Sequence, residues 1–123
     1  SQFEEYVSKF GIRANYHNYS FVSKESDKII GILRGSFCYD EGKVGDLVVL
    51  EDYRGRGVGK SLMMEAEKYL RSQNLRFMSV STYDFQAPEF YKKLGFTQLG
   101  VIPKGFLLKD GTYVDIIPHY IEL

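Results

Sequence analysis

Apolar side chains recur along this chain with two different periods, and the switches between them lay out a fold. Phe3, Tyr6, Val7 and Phe10 are spaced by three and four, one face of a short helix that Gly11 ends. Residues 19–23 and 29–39 are rich in aromatic and β-branched side chains around the polar run 24–28, which predicts a β-hairpin, and residues 40–43 make a second turn. Residues 44–50 hold the unbroken run Leu47, Val48, Val49, Leu50, the pattern of a strand buried on both faces at the centre of a sheet. From Val58 the apolar positions Val58, Leu62, Ala66, Tyr69 and Leu70 return at helical spacing. Lys60, Glu65, Glu67, Lys68 and Arg71 fill the polar side, and the helix ends near Gln73 and Asn74.

Residues 77–83 set Phe77, Ser79, Ser81 and Tyr83 against Met78, Val80 and Thr82, another strand, so 44–83 reads as a β-helix-β unit with locally parallel pairing. Pro88 suits the first turn of a short helix that continues through Phe90, Tyr91 and Leu94 and stops at Gly95. Residues 96–101 and 113–121 read as two closing strands, the second preceded by a turn at Lys109, Asp110 and Gly111. Pro118 predicts an edge or a bulge in that last strand. The expected class is α/β (α+β), in a single domain over 1–123.

Composition narrows the chemistry. With 44% hydrophobic residues, ten Tyr and nine Phe, 123 residues suffice for one packed core. Sixteen basic residues balance sixteen acidic ones, so the overall field steers neither nucleic acid nor membrane, and an anion site has to be local. Cys38 is the single cysteine and cannot close an internal disulfide; it reads as a buried strand residue. No apolar run approaches the roughly 20 residues of a span, and the first five residues lack a secretory pattern. A cytoplasmic monomer or homodimer is the expectation. His17 and His119 lie far apart with no paired cysteines, so no metal set is expected.

The densest chemistry lies at Arg54, Gly55, Arg56, Gly57, Val58 and Gly59, between the strand 44–50 and the helix that follows. Free amides at a helix start converge where the helix dipole is positive, and glycines allow close approach of an anion and positive φ. Arg54, Arg56 and Lys60 add charge at the same point. A plain surface turn is the bland alternative. Gly59-Lys60-Ser61 copies the end of a Walker A loop, but that motif needs glycine at Arg54. Gly55, Gly57 and Gly59 are spaced by two throughout, unlike the dinucleotide fingerprint.

The run from Arg54 to Gly59 resembles the arginine-or-glutamine, x, x, glycine, x, glycine-or-alanine signature of the GNAT superfamily of N-acetyltransferases. Leu47, Val48 and Val49 with Tyr53 look like that family's fourth strand and its exit. Tyr91, Leu94, Gly95 and Phe96 are similar to the end of its cofactor-side helix, and the phrase from Phe85 to Tyr91 resembles one bacterial subgroup. The resemblance runs from about Ile29 to Phe96. It implies a central mixed, largely antiparallel twisted sheet with a parallel pair splayed at the cofactor site, flanking helices and a shortened N-terminus, since the family's first strand is missing.

Carried over residue by residue, the resemblance implies acetyl-CoA as co-substrate. Its pyrophosphate would rest on Arg54, Gly55, Arg56, Gly57, Val58, Gly59 and Lys60, and its pantetheine arm would run beside Leu47, Val48 and Val49. Val49 N–H would be the oxyanion donor and Tyr91 the general acid for the leaving thiolate. Asp84 stands where the family commonly has asparagine, and Gln86 would offer an amide to the same region. The glutamate base of the protein-acetylating branch would fall near Lys43 and is not carried; Asp46, Glu51, Asp84 and His119 read as surface or turn positions, with none assigned as base. Arg71, Arg76, Lys92 and Lys93 read first as solvated charges, some of which could reach the 3′-phosphate of CoA. Three functions stay open: acetyl transfer to a primary amine of a small molecule or protein, a non-catalytic acyl-CoA-binding module, and nucleotide binding at Gly59-Lys60-Ser61.

Overall fold

The computed structural model describes residues 1–11, 13–83 and 88–123. Helix α1, Gln2–Phe10, starts where Ser1 Oγ accepts the Glu4 amide at 3.2 Å, with Glu4 and Glu5 in the first turn and Lys9 in the last, a distribution that suits the helix dipole. Strands β1 (His17–Glu25), β2 (Lys28–Cys38) and β3 (Glu41–Val49) form an antiparallel meander. A 3-10 turn, Glu51–Tyr53, leads from β3 to helix α2 (Val58–Ser72), which crosses to strand β4 (Phe77–Tyr83). Helix α3 is Pro88–Lys93, followed by β5 (Thr97–Gln98), β6 (Ile102–Leu107) and β7 (Tyr113–Glu122).

The sheet runs β1-β2-β3-β4-β7-β5, with β6 also on β7, and β3–β4 is its parallel pair. The expected class and the β-helix-β unit are therefore present. Two closing strands were expected and three exist: only Thr97 and Gln98 of 96–101 pair, and 102–107 forms a strand that no periodicity announced. β6 is exposed at every position, so it has no alternation to read. Pro118 lies in an interior strand, opposite Ser81 of β4, which corrects the expected edge or bulge. Its carbonyl accepts the Leu99 amide at 2.8 Å. In an extended strand the N–H and C=O of one residue point to the same side, so the missing donor faces away from β4 and its ladder loses nothing.

Two glycine positions shape the region that matters. Between Arg34 and Gly35 the β2–β3 register slips: Arg34 opposes Asp46 and Gly35 opposes Val44, which leaves Gly45 as the extra residue of a β-bulge. Facing the bulge, Tyr19 passes over Gly35 so that its hydroxyl donates to the Lys43 carbonyl at 2.8 Å. A Cβ at Gly35 would overlap both groups. The core lies between α2 and this half of the sheet: Leu62, Met63, Ala66 and Leu70 meet Leu33, Phe37, Val44, Met78 and Val80, and Leu70 seats over Gly42. Cys38 ends β2 as a half-buried free thiol, less enclosed than expected.

Candidate cofactor cleft

β3 and β4 pair from Glu41 opposite Phe77 to Val44 opposite Val80 and no further. Past the bulge β3 continues to Val49 and β4 to Tyr83 without pairing, and a cleft of about 890 Å³ opens between them. This overturns the expectation of a strand buried on both faces over 47–50, because Val48 is 53% and Leu50 41% exposed. The apolar run lines a cleft where a sheet neighbour would otherwise lie.

Hydrogen bonding in β3 decides what the cleft sees. Leu50 N–H donates to the Ile30 carbonyl at 2.9 Å, so Leu50 and, two and four residues back, Val48 and Asp46 direct their backbone groups at β2. Leu47 and Val49 then turn theirs to the cleft. The Val49 carbonyl accepts Arg54 Nε at 3.1 Å, which ties the loop to the strand and leaves the Leu47 groups and the Val49 N–H facing the opening.

At one end the cleft meets the glycine loop. Gly55 and Gly57 have φ of +75° and +82°, a left-handed region that side chains disfavour, and a Cβ at either would point into open space. Gly57 is the N-cap of α2 and brings no side chain to cap the helix. The first intrahelical bond runs from the Ser61 amide to the Gly57 carbonyl at 3.0 Å, so the preceding first-turn amides lack helical acceptors. A Cβ at Gly59 would meet the Phe90 ring at 3.4 Å, an ordinary contact that shows how closely α3 lies against the start of α2. Lys60 and Arg54 are on the cleft wall, while Arg56 stacks over the Tyr53 ring at 5.1 Å. Lys28 covers the same ring at 5.5 Å, and the hydrogen bond between Tyr53 and Glu25, ahead of burial, raises the Tyr53 hydroxyl above its usual pKa.

Tyr91 forms part of the opposite wall. Its ring packs edge-on against Phe90 and Phe96 at 5.0 and 5.8 Å, and burial pushes its hydroxyl above the usual tyrosine range. The group is thus a protonated donor at neutral pH.

Of the residues singled out from sequence, Leu47, Val48, Val49, Arg54, Gly55, Gly57, Val58, Gly59, Lys60 and Tyr91 all line this one cleft. Arg56 stands beside it over Tyr53, and Asp84 and Gln86 fall outside the described residues. Arg71 and Lys92 are engaged by Glu67 at 2.7 Å and Glu89 at 3.4 Å, so they act first as partners in surface ion pairs. His119 is fully buried in β7, which corrects its reading as a surface position. Sequence reasoning missed Val80, Ser81, Tyr83 and Phe90 as lining residues. The β-helix-β pattern carries the signal for the first three, since a parallel pair that splays exposes both inner edges.

The geometry can hold a long ligand with an anionic group at the loop and an extended, partly apolar arm along β3. A family model described as the acetyltransferase (GNAT) family matches residues 1–96. The uncharacterized N-acetyltransferase MJ1530 of Methanocaldococcus jannaschii is 26% identical over 104 residues, 82% of this chain and 65% of that protein; the chain thus spans just under two thirds of that relative. An acetyltransferase from Bacillus cereus superposes with a TM-score of 0.78 at 26% identity, over 99% of this chain and 89% of the other. A Bacillus anthracis protein assigned as a streptothricin acetyltransferase and solved with acetyl coenzyme A gives 0.76 at 24% identity, over 86% and 62%.

Proposed function

Since the chain belongs to the GNAT acetyltransferase family, we propose that it transfers the acetyl group of acetyl-CoA to a primary amine of a small molecule or a protein, by direct attack on the thioester. The observation that carries this reading is one cleft with the open N-terminus of α2 at one end and a protonated, half-buried Tyr91 on its wall. Acetyl-CoA in a relative of the same fold supports the choice of donor. Family membership also replaces the Walker A and dinucleotide readings of the loop.

The residues present suit that donor. The left-handed glycines leave room where a Cβ would project, and Arg54 and Lys60 supply charge for a pyrophosphate. The free edge groups of Leu47 and Val49 can pair with an amide-bearing arm as a further strand would. Bound there, acetyl-CoA supplies an acetyl group activated by a thiolate leaving group. Val49 N–H is then the backbone donor available for charge developing on the carbonyl oxygen. Tyr91 gives its proton to the departing sulfur and recovers one from solvent, while the attacking nitrogen loses its own to solvent or a base. No side chain is assigned as that base.

The test is thiol release from acetyl-CoA across a panel of amines and peptide N-termini. Acceptor-dependent release supports the enzyme. Tight binding with no turnover for any acceptor would leave a non-catalytic acyl-CoA-binding module, the second reading, which the missing glutamate at Lys43 favours.

A further inference from the structure

His119 is a buried polar side chain that this chemistry does not yet use. It lies in β7 opposite Val80, whose side chain belongs both to the core and to the cleft wall. The imidazole is fully buried, and its Nδ1 stands 3.0 Å from the Ile117 carbonyl. A carbonyl only accepts, so Nδ1 carries the proton and Nε2 keeps a lone pair. Among the described residues Nε2 has no hydrogen-bond partner. Thr82, the other buried polar side chain nearby, is satisfied by the same Ile117 carbonyl at 3.4 Å and offers Nε2 nothing.

An acceptor this deeply enclosed gives up its bond to bulk water, and proteins answer that loss with a bound water where a second polar group is near. The neighbour is Tyr91, whose ring centroid is 6.1 Å from that of His119 at a 37° tilt. Among the described residues the Tyr91 hydroxyl has no hydrogen bond either. Phe90 and Phe96 enclose the rest of the Tyr91 ring with apolar surface.

We infer that His119 is a positioning residue for Tyr91: one water sits between them and donates one hydrogen to His119 Nε2 and the other to the Tyr91 oxygen. The inference rests on the reading of Tyr91 as proton donor. With both hydrogens of the water committed, Tyr91 accepts on that side and must send its own O–H elsewhere. The open direction is the cleft that the ring lines. The hydroxyl rotor is thereby set toward the departing sulfur, and the same water hydrogen bond stabilises the tyrosinate left after the proton has gone. The tautomer is essential. With a proton on Nε2 the water would accept there and keep both hydrogens free, so His119 would no longer fix how the water meets Tyr91.

Nitrogen-15 NMR of the imidazole tests this without acceptor or acetyl-CoA. The expected spectrum has a protonated Nδ1 and a bare Nε2, and Tyr91→Phe shifts the Nε2 signal because the shared water loses its second partner. A protonated Nε2, or an Nε2 signal untouched by Tyr91→Phe, would overturn the inference whatever the protein acetylates. Kinetics supply the second arm through His119→Leu, Tyr91→Phe and the double variant. His119→Leu should lower kcat about tenfold, the worth of one hydrogen bond, with the Kd for acetyl-CoA unchanged, and should cost nothing further once Tyr91 is Phe. Losses that simply multiply would assign His119 to packing alone. Should His119→Leu fail to fold, His119→Gln, which keeps an acceptor, enters the same cycle and is expected to restore part of the rate. If Tyr91→Phe by itself leaves kcat unchanged, it is the proton-donor reading that fails.

Discussion

The two halves of β3 are covered in the reverse order of their apolar character: residues 41–44 carry two charged side chains and one valine yet are enclosed between two strands, while Leu47, Val48 and Val49 are all apolar and line a cleft. Glu41 to Val44 pair on both edges, with β2 and with β4, and Gly42 and Val44 lie beneath α2, where Leu70 closes the layer. Beyond the Gly45 bulge, Leu47 and Val49 keep β2 as a neighbour but face a cleft on the other edge. The bulge and the end of the β4 pairing come within a residue of each other, so one irregularity separates a covered half from a half open to the cleft. Apolarity alone therefore does not say whether a strand is covered by protein or left for a ligand. Edge hydrogen bonding does.

That contrast can be broken most severely at the loop. Gly57→Glu places a carboxylate at the proposed anion cradle, at a φ that also strains it, and should weaken acetyl-CoA binding on the order of a thousandfold, with the fold intact by circular dichroism; calorimetric titration reads the loss. Leu70→Ala attacks the covered half. It should cost about 2–5 kcal/mol in denaturant unfolding while acetyl-CoA affinity at low temperature holds, because Leu70 is fully buried away from the cleft. Tyr91→Phe should reduce kcat on the order of a hundredfold with little change in Kd, which separates proton donation from binding.

Smaller effects sharpen the same division. Burial raises the Tyr91 pKa, so the donor stays protonated through neutral pH and is lost only as pH rises through a value above the usual ~10. The kcat profile should show no Tyr91-dependent alkaline fall below about pH 10. The sign is the same for stability: Tyr91, like Tyr19, whose hydroxyl is also raised by burial, contributes fully below about pH 10 and loses that contribution above it. Val48→Ala, on the half-open strand, should move stability by no more than about 0.5 kcal/mol, the scale of a surface position.

Much of the fold follows from periodicity, because α2, β1 and β4 each bury one regular stripe, whereas β3 begins at Glu41, inside the expected turn 40–43, and its bulge breaks the alternation. The helix from Val58, the strand 77–83 and the short helix from Pro88 lie where the spacing puts them. β6 escaped because it buries no face, and the interior place of Pro118 because a missing N–H matters only on the side where a partner waits. At the site, Arg54 to Lys60 and Tyr91 were legible through local chemistry and the family resemblance. Ser81, Tyr83 and the burial of His119 were not, since each depends on which strand lies beside which. A histidine between Pro118 and Tyr120 carries no local sign that Val80 and Tyr91 enclose it.

An amide-resolved NMR titration with acetyl-CoA tests the division of β3 most directly. The amides of Leu47 and Val49 and those of residues 57–60 should shift together on one saturation curve, while Gly42, Lys43 and Val44 stay in place. Saturable binding that shifted the β1–β2 edge and left Val49 and Gly57 unmoved, or no binding at millimolar acetyl-CoA, would contradict the account.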